Sequence, residues 1–176
     1  MKDLFIIGFM GAGKTSVSAR LGQLLEWQIV EMDQRIAEQE GRTIPEIFAE
    51  RGEAYFRACE TALLESFARG GPRVVSCGGG VPLREENTAA MRRCGRVILL
   101  TARPEVILDQ VRDSDDRPLL QGCKTVPGIA ALMEQRRPRY EAAADLTVDT
   151  SDLSIEEVCR EILRQTGMQP QIHKNV

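Results

Sequence analysis

Eight consecutive residues, Gly8-Phe9-Met10-Gly11-Ala12-Gly13-Lys14-Thr15, match the pattern G-x-x-x-x-G-K-[ST] in full. Glycines at this spacing let a backbone curl until successive N–H groups point at phosphate oxygens, and a helix starting there adds its positive end. Gly11, Ala12, Gly13 and Ser16 would then line a polyphosphate, Lys14 would reach its β- and γ-phosphates, and the Thr15 hydroxyl would hold Mg2+. An apolar run precedes the motif, and Val17, Leu21, Leu24 and Leu25 follow at the spacing of an amphipathic helix. A plain glycine turn with an exposed lysine is the alternative, and this strand–loop–helix setting argues against it. A GTP reader would need Asn-Lys-x-Asp, yet the asparagines are Asn87 and Asn175, neither in such a context. The nucleotide reads as ATP.

Further candidates carry charge that a phosphate acceptor could use. Asp33 follows the second apolar run, at the edge where open α/β sheets bind ligands, and a carboxylate there can take a hydroxyl proton. It reads equally as a helix N-cap. Arg57 lies beside the apolar line Phe56, Cys59, Leu63 and Phe67, four residues after Glu53, so a solvated i,i+4 ion pair is its plain reading. Arg136 differs, because it falls on the same helical stripe as Ile129, Leu132, Met133 and Tyr140. An inward guanidinium needs an anion, either an internal carboxylate or a ligand. Pro138 two residues on would free a carbonyl nearby. Gly78-Gly79-Gly80 allows close backbone approach to a ligand, or makes an ordinary turn. Arg117 sits among Asp113, Asp115 and Asp116, where a solvated loop arginine is the plain reading.

The elements that must place these residues alternate between short apolar runs and helical stretches, the pattern of βαβ units on a parallel sheet. Strands are predicted at 4–7, 28–30, 73–76, 96–100 and 146–148. Helices are predicted at 14–25, 33–39, 44–51, 53–69, 84–92, 104–111, 128–140 and 155–166. The predicted fold is therefore α/β, a three-layer α/β/α sandwich around a five-stranded parallel sheet. One domain spans 1–176, with a helical substrate-binding region at 33–61, a lid at 112–124 and a frayed tail at 167–176. At 176 residues the chain is too short for a large ATPase machine, which leaves a compact kinase of the nucleoside-monophosphate-kinase architecture. A net charge of −3 gives no basic stripe for a nucleic acid, and no run is long enough for a membrane helix. The five cysteines, Cys59, Cys77, Cys94, Cys123 and Cys159, have neither zinc nor disulfide spacing. They read as thiols of a cytoplasmic protein. The sole histidine, His173, lies in the tail, which removes a histidine base from consideration.

Over residues 3–165 the chain resembles the shikimate kinase family. The resemblance rests on the 8–15 loop, Asp33, Gly52-Glu53-x-x-Phe56-Arg57-x-x-Glu60, Gly78-Gly79-Gly80, Arg117-Pro118-Leu119-Leu120 and Arg136-x-Pro138-x-Tyr140. It implies that ATP phosphorylates the shikimate 3-hydroxyl, a step towards chorismate and the aromatic amino acids. It implies catalytic roles for Lys14, Asp33 and Arg117, with Arg117 closing over the phosphates of ATP. Arg57 and Arg136 would grip the shikimate carboxylate, with Asp33 at its hydroxyls and Gly79 lining the site. The resemblance further implies Mg2+ held by Thr15 and, through water, by Glu31. Glu31-Met32-Asp33 departs from the family's Asp-x-Asp, and Arg112 is the candidate for the arginine near adenine. ATP and shikimate are the expected partners of what is expected to be a monomer. A kinase of another polyol acid such as gluconate and a non-catalytic nucleotide-binding module are the competing readings. Intact Lys14, Thr15, Asp33 and Arg117 argue against the module.

Overall fold

Leu4, Phe5, Ile6 and Ile7 expose no surface, an unbroken apolar run of the kind that only a strand covered on both faces carries. The computed structural model, which describes residues 2–111 and 125–171, places this run in β1 (Asp3–Gly8) at the centre of a five-stranded sheet. The other strands are β2 (Gln28–Glu31), β3 (Arg73–Ser76), β4 (Gly95–Thr101) and β5 (Leu146–Asp149). Their order is β2-β3-β1-β4-β5 and every pairing is parallel. The edge strands β2 and β5 each bury only one residue fully, Val30 and Val148.

Among the described residues seven α-helices flank the strands: α1 (Lys14–Leu25), α2 (Met32–Glu40), α3 (Ile44–Ser66), α4 (Glu85–Cys94), α5 (Pro104–Val111), α6 (Val126–Ala143) and, after β5, α7 (Ile155–Thr166). The step from β1 to β2 runs one way across the sheet, and the later steps β2 to β3, β3 to β4 and β4 to β5 run the other way. Right-handed crossovers therefore put α1 on one face and α2 to α6 on the opposite one. Helix α7 packs back against α1, completing three layers. The direction of winding changes between β1 and β3, so the loops after these two strands face one another at the carboxyl edge. The Cys77 N–H donates to the Ile6 carbonyl at 3.0 Å and extends the ladder into that crevice.

Local sequence explains most boundaries. Thr43 and Glu46 form a capping box at the start of α3, and Ser154 and Glu157 form one at α7. Gly52 sits inside α3 with φ 79° and ψ 172°, so the helix consists of two arms meeting at one non-helical residue, as separate helices at 44–51 and 53–69 predict. Helix α6 starts earlier than expected, because the Thr125 hydroxyl accepts from Gly128 N–H and Pro127 is tolerated in the first turn. It then continues through Pro138 to Ala143. Residues 167–171 differ from the fraying expected of them. Gly167 adopts φ 70° as the cap of α7, Met168 packs on the core, and Gln171 N–H donates to the Leu24 carbonyl at 2.8 Å. The proposed lid at 112–124, with Arg112, Arg117 and Cys123, lies outside the described residues, as does His173.

Candidate active site

The crevice begins with the loop that leaves β1. Gly8 passes so close to β4 that a methyl group there would overlap the Leu100 carbonyl, and Gly13, at φ 87°, turns the chain into α1. The first turn of α1 holds no acidic residue, so the positive end of that helix remains available to an anion. Lys14 Nζ donates to the Gly8 and Phe9 carbonyls, each at 3.0 Å, and its ammonium is thereby laid across the loop. Ala12 is buried beneath, while Gly13, Thr15 and Ser16 are exposed at the mouth.

Across the crevice, β2 delivers Glu31 and the first turn of α2 delivers Asp33, whose side is open to solvent. The N-cap is Glu31, without a side-chain capping bond, so Asp33 is not the cap that its spacing allowed. The glycine loop after β3 runs directly against this carboxylate. A methyl group on Gly78 would sit 2.9 Å from Asp33 Oδ1 and 3.1 Å from Glu60 Oε1, and one on Gly80 would overlap the Arg57 guanidinium. Three glycines in a row thus let side-chain oxygens of Asp33, Glu60 and Tyr140 and the Arg57 guanidinium crowd around bare backbone.

Arg57 makes the expected i,i+4 ion pair with Glu53 at 3.0 Å, and also one with Glu60 at 2.9 Å. Glu60 has no exposed surface. Burial pushes its carboxyl above the usual range, with Arg57 pulling it back only in part. Burial works against the charge of Arg57, but Glu60 and Glu53 outweigh it and raise the guanidinium's pKa further. Arg136 is held otherwise. Among the described residues it pairs with no carboxylate, and its guanidinium lies 5.7 Å from the centroid of the Phe9 ring, a residue of the phosphate loop. Among the described residues, the internal salt bridge that the sequence left open is not formed.

Tyr140 joins these parts. It is buried, and its hydroxyl donates to the Gly79 carbonyl at 2.6 Å. Burial raises its pKa, while Arg136, through charge and a hydrogen bond, and more weakly Arg57, through charge alone, act in the opposite direction, so Arg136 lies at the phenol oxygen and Arg57 within electrostatic reach of it. The structure so brings Asp33, Arg57, Gly79 and Arg136 together, facing the loop that carries Lys14 and Thr15. Sequence reasoning gave Gly78 and Gly80 only a shared backbone approach with Gly79, gave Glu60 and Tyr140 no role beyond their place in the motifs of the resemblance, and gave Phe9 no role of its own. Glu60 at i+3 from Arg57 and Tyr140 at i+4 from Arg136 were the available signals.

The donor set also fits a divalent cation. Glu31 Oε1 is buried and has no hydrogen-bond partner among the described residues. Burial raises the Glu31 carboxyl above 4.5 against the pull of the Ser76 and Thr15 hydroxyls and of Lys14. An unsatisfied carboxylate oxygen beside Thr15 is an acceptor for a water of a hydrated Mg2+, which takes few protein ligands when phosphates supply the rest. That economy agrees with the lack, among the described residues, of any cluster of three or more acidic, histidine or cysteine ligands.

A parallel sheet with a phosphate loop at its switch point and a basic acceptor pocket opposite defines a P-loop kinase for a small anionic substrate. Comparison narrows the class. The shikimate kinase family model matches residues 10–166. The chain is 40% identical over 164 residues to the shikimate kinase of Caldanaerobacter subterraneus, covering 93% of this chain and 95% of that one. It is 41% identical over 162 residues to that of Geobacter metallireducens, covering 92% and 90%. Among solved structures it is similar to shikimate kinase from Acinetobacter baumannii in complex with shikimate, with TM-score 0.87, 30% identity and 94% and 93% coverage. The enzyme from Aquifex aeolicus gives TM-score 0.81 at 34% identity, covering 94% and 96%. The chain belongs to the shikimate kinase family.

Proposed function

We propose that this chain transfers the γ-phosphate of ATP to the 3-hydroxyl of shikimate, releasing ADP and shikimate 3-phosphate. The observation that carries the reading is the meeting of Arg57 and Arg136, from α3 and α6, about Tyr140 and Gly79 next to Asp33. Two guanidinium forks suit one planar carboxylate, and an adjacent carboxylate suits a hydroxyl. Gly11, Ala12, Gly13, Lys14, Thr15 and Ser16 cradle the nucleotide phosphates. Arg57 and Arg136 hold the acceptor's carboxylate while Gly79 backs its ring. Asp33 orients the 3-hydroxyl and accepts its proton as oxygen attacks the γ-phosphorus and the bond to the ADP oxygen breaks. Lys14 spreads the charge that builds on the transferring phosphoryl group, and Arg117 in the 112–124 lid is assigned the same task. Thr15 and, through water, Glu31 would hold Mg2+, which when bound neutralises the β- and γ-phosphates. Positioning and fixed charge supply nearly all of the acceleration.

The same reading makes the chain a cytoplasmic monomer of one domain, with residues 33–61 and 112–124 closing over the substrates. Free Cys59, Cys77, Cys94 and Cys159 agree with a reducing compartment. No helix among the described residues is long and apolar enough to cross a membrane. ADP release measured with shikimate, gluconate and nucleoside monophosphates tests the substrate. Turnover with shikimate alone is expected, and equal turnover with gluconate would overturn the assignment.

A further inference from the structure

Tyr140 is used by none of the steps above, yet it is the residue through which the acceptor pocket is joined. It lies one helical turn after Arg136 on α6, so its ring and that guanidinium leave the helix on the same side. Its hydroxyl has one proton, and that proton is committed to the Gly79 carbonyl at 2.6 Å. The peptide joining Gly79 to Gly80 is planar, so fixing its carbonyl also fixes the direction of the Gly80 N–H. Gly80 in turn rests on the Arg57 guanidinium, close enough that a methyl group there would overlap Nη1. A continuous path therefore runs from Arg136 through Tyr140 and the 79–80 peptide to Arg57. Three glycines in succession would otherwise be the softest part of the pocket.

We propose that Tyr140 is a positioning residue for the acceptor: by tying α6 to the Gly79 carbonyl, it sets the spacing of Arg57 and Arg136 so that both engage one carboxylate. The proposal rests on the reading of this pocket as a carboxylate site. Tyr140 itself need not touch the substrate. Burial holds the phenol in its protonated form, which keeps the donor present across the neutral range.

Tyr140→Phe removes one oxygen and keeps the buried ring. The KM for shikimate should rise about tenfold, the size expected when one well-formed hydrogen bond ceases to preorganise a site. The kcat at saturating shikimate and the KM for ATP should stay within about twofold, since neither the cradle nor Asp33 is touched. Shikimate methyl ester, which keeps the ring and hydroxyls but lacks the negative charge, supplies the control. Wild type should prefer shikimate strongly over the ester, and Tyr140→Phe should lose much of that preference. Arg136→Lys, alone and combined with Tyr140→Phe, completes a cycle in which the two effects should fall short of additivity. A lower Tm with an unmoved shikimate KM would mark the bond as packing only and overturn the proposal, as would strict additivity in the cycle. A wild type that takes acid and ester equally would instead overturn the carboxylate reading beneath it.

Discussion

The two halves of this active site are built in opposite ways. The phosphate side is a single contiguous loop whose working groups are backbone N–H groups, one lysine and one hydroxyl, all within residues 8–16. The acceptor side draws Asp33, Arg57, Gly78 to Gly80, Arg136 and Tyr140 from four separate stretches of chain, and its working groups are side-chain charges. Phosphate is common to many substrates and a backbone cradle serves them all, whereas the acceptor must be chosen, and choosing needs charges placed in three dimensions. Among the described residues the two sides meet where Phe9 lies beneath Arg136 and where Glu31 faces Thr15 and Lys14.

If the halves are separable in function, a change on the acceptor side should stop the reaction without loosening the nucleotide. Asp33→Asn is the most severe such change. It keeps the shape of the side chain and removes its ability to accept a proton, so kcat should fall about 1,000-fold. Binding of ATP, followed by fluorescence or calorimetry, should be unchanged. Near-normal turnover would remove the role assigned to Asp33. A parallel loss of ATP affinity would show that the two sides are not independent.

This division also explains how much could be read from the sequence. The cradle was legible because its physics is local: eight residues, a preceding strand and a following helix specify it. The sheet, its parallel sense and the break at Gly52 were legible for the same reason, since period, length and a glycine mark them. The acceptor side was not legible from spacing. Arg57 looked like half of a surface ion pair, and that pair with Glu53 exists, but its second partner, Glu60, is fully buried, which only the packing of α3 against the glycine loop decides. Asp33 looked like a helix cap, and the cap falls two residues earlier. The role of Tyr140 depends on a contact with Gly79 across 61 positions of chain, and no local pattern encodes that. Resemblance to a family supplied the candidate site residues where local physics could not.

The two arginines sharpen the comparison within the acceptor side. Arg57→Ala and Arg136→Ala should each raise the KM for shikimate about 100-fold, as the loss of a charge-assisted fork does, and leave the KM for ATP alone. Their effects on stability should differ. Removing Arg57 strands the buried Glu60 carboxylate, a loss of about 3 kcal/mol. Removing Arg136 forfeits a cation–π contact on Phe9 and, among the described residues, no ion pair, a loss of about 1 kcal/mol or less. Urea unfolding of the two variants in the absence of ligands measures this. Equal losses would mean that the arginines are held alike, and the account of Glu60 as the fixed anchor would fall.

Glu31 gives the smallest effect and tests the seam between the halves. Burial raises its carboxyl above 4.5, so the folded protein holds this proton more tightly than the unfolded chain does. The stability tied to that preference is complete below the unfolded value and is lost as pH rises through the higher folded value. Glu31→Gln cannot ionise, so its unfolding free energy should lack this share of the decline between acidic and neutral pH. Saturating Mg2+ and ATP should flatten the wild-type curve towards that of the variant, because a cation beside Thr15 compensates the buried charge. Urea midpoints across this range, with and without Mg2+ and ATP, provide the measurement. Parallel curves for the two proteins without ligand would mean that the unpartnered Oε1 is no liability, and that Glu31 is not the carboxylate waiting for the metal's water.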